Sequence, residues 1–142
     1  MTSLSFPDVN VWLALLLADH THRAAAIDWW TADLSEVIGF SRFTQIGVLR
    51  LLTTPAAMKG KALGMDAAWQ AYDRLFEDDR VALLPEPDTI EAQFRTLSRS
   101  AMASPKVWAD AYIAAFAAQY RGTLVTFDRA LANRGTKCLA LG

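Results

Sequence analysis

Hydrophobic and polar positions follow two different periods along the chain, and the change from one to the other marks the predicted elements. Short apolar runs predict strands at residues 4–6, 36–40, 81–84, 123–127 and 139–141. Longer segments with apolar residues at helical spacing predict helices at residues 9–18, 21–30, 42–52, 66–76, 88–98 and 105–120. Because strands alternate with helices, the pattern favours an α/β fold with a mostly parallel sheet covered by helices on both faces.

Residues suited to helix ends mark several of these boundaries. Ser41 and Asp66 are placed to cap the helices that follow them. Ser104 and Pro105 come in the order that a helix start prefers, with a capping serine before a first-turn proline. Gly122 follows the last apolar helix as a C-terminal capping residue would. Each of these assignments predicts one helix boundary.

Composition changes this picture in two ways. A length of 142 residues with 53% hydrophobic and 20% charged residues is typical of one ordered domain, residues 1–142, rather than of a disordered chain. The apolar excess, with tryptophan at positions 12, 29, 30 and 69, also predicts a surface that binds a partner protein. The net charge of -1 argues against a protein that coats nucleic acid by bulk electrostatics, but not against a nuclease with a local basic rim.

Features that would direct the chain out of the cytoplasm are missing from the sequence. Cys138 is the only cysteine, so no intramolecular disulfide forms, which fits a reducing compartment. The first residues show neither a basic region nor a cleavage site of small residues, and we expect no secretory signal. The longest apolar run, residues 11–18, is far shorter than the roughly 18 residues that span a bilayer. We therefore expect a cytoplasmic protein without a membrane partner.

Three aspartates are placed to converge at one edge of the predicted sheet. Asp8 follows the first strand, Asp128 follows a late strand, and Asp110 lies in the helix before that late strand. If those two strands are neighbours, the three carboxylates meet in one crevice, where repulsion between them favours a hard divalent cation. Oxygen ligands suit Mg²⁺, or Mn²⁺, better than zinc. The chemistry predicted for such a site is metal-assisted hydrolysis of a phosphodiester bond.

Support for a functional role differs among the three aspartates. Asp8 taken alone is as well explained as a helix cap. Asp110 lies in an otherwise apolar segment, residues 107–116, which predicts a helix buried nearly all round. A buried carboxylate without a partner is costly, so this position favours a functional role for Asp110.

Other side chains are candidates for supporting roles. Asn10 is placed to orient the Asp8 carboxylate, or to cap a helix, and Thr126 falls on the same side of its strand as Asp128. His20 and His22 are two residues apart with no third histidine or cysteine nearby, which favours structural roles. Basic residues that could form a phosphate-binding rim are Arg42, Arg50, Lys59, Lys61, Lys106, Arg121, Arg129 and Arg134. Arg129 is the strongest of these candidates because it adjoins an aspartate.

Two motifs carry a resemblance to a known family. Residues 6–15, Phe-Pro-Asp-Val-Asn-Val-Trp-Leu-Ala-Leu, resemble the opening motif of PIN domains of the VapC toxin type. Residues 107–117, Val-Trp-Ala-Asp-Ala-Tyr-Ile-Ala-Ala-Phe-Ala, and residues 124–131, Leu-Val-Thr-Phe-Asp-Arg-Ala-Leu, resemble the closing motif. Both motifs in this order, at the two ends of a short chain, make a fairly specific signal.

The resemblance implies a fold, an activity and partners. The fold is a PIN-like three-layer sandwich, and the activity is that of an endoribonuclease toxin. The resemblance places Mg²⁺ at Asp8 and Asp110, with Asp128 in support. It also implies an RNA substrate, a homodimer, and neutralisation by a cognate VapB-type antitoxin.

One position departs from the family pattern. PIN domains usually carry a glutamate in the helix after the second strand, and the matching residue here is predicted to be Gln45. A carboxamide can still accept a hydrogen bond, but the site loses one negative charge, which predicts a single firmly bound ion.

Two other function classes stay open. A catalytically weak or inactive PIN-fold module that binds an antitoxin is conceivable because of Gln45. A phosphoacceptor signalling domain also gathers aspartates at strand ends, but it has paired acids after the first strand and a lysine after a late one. Here a single acid, Asp8, follows the first strand and Asp128 follows the late one.

Overall fold

A parallel sheet of five strands lies at the centre of the chain in the computed structural model, which describes residues 2–132 and 137–142. The strands are β1 (Leu4–Pro7), β2 (Val37–Phe40), β3 (Val81–Leu83), β4 (Thr123–Thr126) and β5 (Cys138–Ala140). Their order across the sheet is β3-β2-β1-β4-β5, and every pairing is parallel. The first and fourth strands are therefore neighbours, as the convergence of the aspartates requires.

Helices pack on both faces of this sheet, which confirms the predicted three-layer arrangement. They are α1 (Val9–Leu16), α2 (Arg23–Ala32), α3 (Arg42–Leu52), α4 (Met65–Leu75), α5 (Ile90–Ser98), α6 (Val107–Gln119) and the short α7 (Arg129–Ala132). Helices α1 to α4 bury their apolar sides in one hydrophobic core, and α5, α6 and α7 bury theirs in a second. No helix in the described part of the chain is both long enough and apolar enough to cross a membrane.

Aromatic side chains dominate the first core. Trp12 of α1 is completely buried and stacks on Phe40 of β2 with ring centroids 4.0 Å apart. The edge of Trp30 contacts the same indole ring at a centroid distance of 6.0 Å. The Trp12 stack therefore attaches α1, the helix that starts at the end of β1, to the neighbouring strand.

The second core contains a phenylalanine held between two glycines. Phe6 of β1 is buried, and its ring contacts Phe116 of α6 edge to face. A Cβ atom at Gly39 would lie 2.5 Å from Cε1 of Phe6, and one at Gly122 would lie 2.5 Å from Cε2. Both positions exclude a side chain because the ring already fills that space.

The predicted starts of α2, α4, α5 and α6 each differ from the structure by one or two residues, whereas the cap at Ser41 is confirmed. The Ser41 hydroxyl accepts a hydrogen bond from the backbone N–H of Thr44 at 3.0 Å. The prediction of Asp66 as a cap is wrong: Gly64 takes that position, and Asp66 lies in the first turn of α4. A carboxylate is favourable there as well, because it faces the positive end of the helix dipole.

The start of α6 was also predicted two residues too early. The backbone N–H of Val107 donates to the carbonyl of Ser104 at 3.0 Å, so residues 104–107 form a turn before the helix begins. Pro105 occupies the second position of this turn, where its fixed φ is favourable. The same dipeptide therefore suits a turn as well as a helix start.

The end of α6 shows why Gly122 was misinterpreted. Arg121, with φ of 56°, adopts the left-handed conformation that was expected of the glycine. The N–H of Arg121 donates to the carbonyl of Ala118 at 3.0 Å, and the N–H of Gly122 donates to that of Ala117 at 2.9 Å. These bonds form a Schellman motif one residue earlier than predicted. Gly122 is required instead by the close approach of Phe6.

Candidate active site

Asp8 lies at the junction between β1 and α1 and is the best-defined carboxylate of the site. Its backbone N–H donates to the carbonyl of Val125 in β4 at 2.9 Å, which ties the junction to the neighbouring strand. Its Oδ1 atom accepts a hydrogen bond from the N–H of Val11 at 3.1 Å and so caps α1. The side chain is 8% exposed. Strand pairing and capping thus hold the Asp8 carboxylate in one orientation.

Thr126 connects two of the three predicted aspartates. This last residue of β4 is completely buried. Its hydroxyl donates to Oδ2 of Asp8 and accepts a hydrogen bond from the backbone N–H of Asp128 at 3.0 Å. A valine here would leave both groups without that partner. The position thus carries a polar contact and is more than a β-branched residue suited to a strand.

Asp128 has two partners of its own. Its Oδ1 atom accepts a hydrogen bond from the N–H of Ala130 at 2.9 Å, at the start of α7, and its Oδ2 atom lies 3.3 Å from Nζ of Lys106. Burial raises the pKa of Asp128, but the N–H of Ala130 and the Lys106 ammonium outweigh that effect and hold the pKa below its usual value. Asp128 is therefore ionised and already paired with a cation.

The pKa of Asp8 shifts in the opposite direction to that of Asp128. Burial raises the pKa of Asp8 above its usual value, and the hydrogen bonds from Thr126 and Val11 only partly offset this effect. The negative charges of Asp110 and Asp128 raise the pKa further. Ionisation of Asp8 therefore costs more in this site than in water, and a cation nearby would offset that cost.

A cleft of about 370 Å³ opens beside Asp8 and is walled by α1, α3, α6 and α7. Four polar side chains line it, namely those of Asp8, Asn10, Arg50 and Asp110, and the rest of its wall is apolar apart from Gly47. Asp8 and Asp110 thus face the same space, whereas all three aspartates were expected to meet there. Asp128 is not among its lining residues and reaches Asp8 through Thr126.

Sequence and structure comparisons place this architecture among known proteins. A family model for the PIN domain matches residues 5–137. The chain belongs to the PIN-domain family. It is 43% identical to ribonuclease VapC41 of Mycobacterium tuberculosis over 133 residues, which cover 90% of this chain and 91% of VapC41. The predicted relationship to VapC-type PIN domains is thereby confirmed, and ribonucleases of this family generally depend on a divalent metal ion.

Solved PIN-domain structures share the fold. The sarcin–ricin-loop-cleaving toxin VapC20 of Mycobacterium tuberculosis superimposes with a TM-score of 0.69 at 19% identity, covering 93% of this chain and 95% of VapC20. A chain of the VapBC2 complex of Rickettsia felis, bound to a DNA fragment from its promoter, gives a TM-score of 0.69 at 14% identity. That match covers 98% of this chain and 99% of the other.

The position of Asp110 in this PIN domain differs from the prediction in one respect. Full burial on α6 begins at Ala111, whereas Asp110 is only partly buried and Trp108 is 61% exposed. The expectation of a helix buried nearly all round is therefore wrong for its first turn. Asp8, and not Asp110, is the carboxylate that the fold removes from water.

Gln45 lies on the buried side of α3 rather than on the side that faces the cleft. It is 4% exposed, and its Oε1 atom accepts a hydrogen bond from Arg42 at 2.8 Å. The residues of α3 that line the cleft are Phe43, Ile46, Gly47, Arg50 and Leu51, and none of them is an acid. Among them, Gly47 packs closely against α1. A Cβ atom there would lie 2.8 Å from Cγ2 of Val9, so α1 and α3 leave no room for a side chain.

The remaining candidate residues lie in several places. Arg129 begins α7, is exposed, and is not among the residues that line the cleft. The N–H of His22 donates to Nδ1 of His20 at 3.0 Å, and the His22 ring stacks on Phe127, which fits the structural role that was predicted for both. Arg134 lies outside the described residues. Within the described ranges, no three His, Cys, Asp or Glu side chains are grouped closely enough to hold a metal ion by themselves.

The ion pair between Lys106 and Asp128 was not predicted from the sequence. The two residues are 22 positions apart, and no periodic pattern connects them. Lys106 was only one of several candidates for a phosphate rim. The pair forms because the fold brings the loop before α6 close to the end of β4, and the sequence alone does not show this.

Proposed function

We propose that this chain is a metal-dependent endoribonuclease that acts as the toxin of a toxin–antitoxin pair and hydrolyses RNA phosphodiester bonds at the cleft beside Asp8. The observation that carries the proposal is a buried carboxylate with a raised pKa that shares an open cleft with Asp110. The 43% identity to a named ribonuclease over 90% of the chain supports the same activity.

The residues of the cleft fit a hard divalent cation, and we propose Mg²⁺, with Mn²⁺ as an alternative. Asp8 and Asp110 would hold it, because both line the cleft and offer oxygen ligands. Two carboxylates are sufficient for Mg²⁺, which usually keeps several waters when bound to proteins. When bound, the cation would supply Lewis-acid stabilisation of charge on the phosphate group. Asp128 would act from a distance, through Thr126.

The chain's own residues orient the groups that act on RNA. The N–H of Val11 and the hydroxyl of Thr126 each occupy one oxygen of Asp8, and fix which lone pairs remain for the cleft. Asn10, exposed at the start of α1, also lines the cleft and would orient a water or a phosphate oxygen. Most of the side chains that α3 and α6 place beside the carboxylates are apolar, so few other polar groups compete for the RNA there.

One magnesium ion per chain is the expected stoichiometry, with an affinity that rises with pH. The residues of α3 that line the cleft are Phe43, Ile46, Gly47, Arg50 and Leu51. None of them carries a carboxylate, so a second strong site lacks ligands on this helix. The folded protein holds a proton on Asp8 more tightly than the unfolded chain does, because its pKa is raised. Mg²⁺ must displace that proton below the folded pKa but not above it. Acidification should therefore weaken Mg²⁺ binding, while it adds stability to the metal-free protein between the folded and unfolded pKa values of Asp8.

Isothermal titration with Mg²⁺ at several pH values measures both properties. Two tight sites per chain, or an affinity that does not change with pH, would contradict the expectation. The same titration on a variant with asparagine at position 8 serves as the control, since this variant has lost the titrating group.

RNA cleavage by the purified chain tests the proposed activity. Incubation with total RNA and Mg²⁺ should produce discrete internal breaks, and excess EDTA should abolish them. Sequencing of the new RNA ends would identify the target. Breaks that persist in EDTA would rule out a metal-dependent mechanism, and their absence across a broad RNA panel would rule out the activity.

A cognate VapB-type antitoxin is the proposed protein partner, with the toxin as a homodimer in the cytoplasm. The VapBC2 complex of Rickettsia felis contains a chain of this fold. Large exposed apolar side chains, among them those of Leu34, Met65 and Met102, are suited to protein contacts. Co-expression with a small neighbouring open reading frame, followed by co-purification, would test the pairing.

A binding module without catalytic activity is the second candidate function. It is favoured by the missing carboxylate on the cleft-facing side of α3 and by the ion pair that already engages Asp128. The RNA cleavage assay separates the two candidates, because both would bind an antitoxin but only the ribonuclease would cut RNA.

A further inference from the structure

One basic side chain lines the cleft that Asp8 and Asp110 share. Arg50 of α3 is exposed, and among the described residues that line the cleft it carries the one positive charge. Within residues 2–132 and 137–142, its guanidinium forms no ion pair with a carboxylate. The guanidinium is therefore available to an anion that enters the cleft.

Helix α3 places one cation and no acid on this wall, where its lining residues are Phe43, Ile46, Gly47, Arg50 and Leu51. At Gly47, Val9 leaves no space for a side chain. Arg50 lies almost one turn further along the same helix and also lines the cleft. The hydroxyls of Thr53 and Thr54 donate to the Arg50 carbonyl at 3.0 and 2.6 Å, which fixes its backbone in the last turn.

Charge balance in the cleft indicates what Arg50 binds. A divalent cation held by Asp8 and Asp110 would be neutralised by those two carboxylates, which leaves little net attraction for a polyanionic strand. An arginine restores a positive charge, and its planar guanidinium matches two phosphate oxygens. On the basis of the proposed ribonuclease function, we infer that Arg50 binds a phosphate of the RNA strand next to the one that is cleaved.

The surface beyond Arg50 agrees with this position. Arg50 and Ile46 also line a second cavity of about 370 Å³, which extends towards Met65 and Trp69 of α4. Arg50 therefore lies where the aspartate cleft meets the neighbouring groove. A strand that leaves the cleft on this side passes the guanidinium, so the contact is to a flanking phosphate.

Salt-dependent RNA binding tests the inference. The variants Arg50→Gln, Arg50→Lys and Arg74→Gln are prepared in an Asp8→Asn background, which should bind RNA without cutting it. Arg74 is the matched control, because it is exposed, lies in the last turn of α4 and is not among the residues that line the cleft. The probe is a short fluorescent single-stranded RNA of mixed sequence, and its affinity is measured by anisotropy over a range of salt concentrations.

We expect Arg50→Gln to weaken RNA binding about 10-fold and to reduce the slope of log affinity against log salt by about 0.7, as loss of one phosphate contact to a single strand predicts. Arg50→Lys should keep the same slope of log affinity against log salt but only part of the affinity. Lysine keeps the positive charge but cannot make the bidentate contact to phosphate. Arg74→Gln should change neither quantity. With Asp8 intact, Arg50→Gln should raise KM for RNA more than it lowers kcat.

Two results would overturn the inference. One is a salt slope for Arg50→Gln equal to that of Arg74→Gln, and the other is unchanged RNA binding together with weaker binding of the co-purifying antitoxin. Failure of the ribonuclease proposal itself would look different, because the unmutated chain would then cut no RNA at all.

Discussion

Replacement of Asp8 by asparagine is expected to lower RNA cleavage by about 100-fold or more and to leave the fold intact. The Asp8 carboxylate is one of two that face the cleft, and its loss removes the negative charge that would hold the cation, worth several kcal/mol in the transition state. Asparagine keeps an oxygen for the N–H of Val11, so the cap of α1 survives. Initial rates of RNA cleavage and circular dichroism of the same preparation measure the two effects.

The matched control for this variant is Asp19→Asn. Asp19 forms an ion pair with Lys59 at 3.6 Å, and both side chains are largely exposed, so its replacement should change activity and stability little. In the absence of metal and at neutral pH, Asp8→Asn should also be at least as stable as the parent protein. The substitution removes a buried carboxyl group whose pKa is raised and whose ionised form is therefore costly to bury. Cleavage at the parental rate by Asp8→Asn would exclude this carboxylate from the reaction.

Replacement of Trp12 by alanine should have the largest effect on stability. The Trp12 side chain is completely buried against Phe40, and truncation of a buried tryptophan lowers the free energy of unfolding by about 3–5 kcal/mol. The backbone N–H of Trp12 donates to the carbonyl of Asp8 at 3.2 Å, so the stack also anchors the first turn of the helix that carries the site. Urea unfolding followed by circular dichroism measures the change.

The corresponding control is Trp69→Ala. Trp69 is 44% exposed and contacts the edge of Tyr72, so its truncation should cost less than half as much. Equal losses for the two tryptophan variants would show that the Trp12 stack does not anchor α1 in the way the structure indicates.

The order of the elements and the parallel sheet were predictable because their signals are local. The apolar run that precedes Asp8 and the one that precedes Asp128 are both short and followed by a polar residue, which is how buried parallel strands end. That these two strands are neighbours was a condition for the aspartates to meet, and β1 does pair with β4. Helix starts were harder, because Ser104 and Pro105 suit a turn as well as a helix cap.

The site was only partly predictable, because the side of a helix that faces a cleft depends on packing. Gln45 and Gly47 are two residues apart, which corresponds to about 200° around a helix axis. In the sequence, Gln45 is the polar residue nearest to the expected position, but the buried side of α3 includes it together with Thr44 and Val48. Gly47 lies on the side that lines the cleft and packs closely against Val9, and no local pattern reports such a contact.

Asp110 illustrates a different limit of the sequence. The segment around it is apolar over ten residues, which suggested complete burial, yet no residue of α6 before Ala111 is buried. Hydrophobic periodicity predicts that a segment is a helix, but it does not show which turns of that helix pack on the sheet and are buried. The cost of a carboxylate removed from water applies to Asp8 instead, for which the sequence alone offered a helix cap as an equal explanation.

The ring of Phe6 between Gly39 and Gly122 has a consequence for how sequences of this type can diverge. Since the ring fills the space of both missing side chains, a larger residue at either glycine position is compatible with the sheet only if residue 6 becomes smaller. The three positions lie on β1, on β2 and just before β4, so they are far apart in sequence but change as a group. Covariation among them in an alignment of relatives would reveal the pairing of the three central strands without any structure.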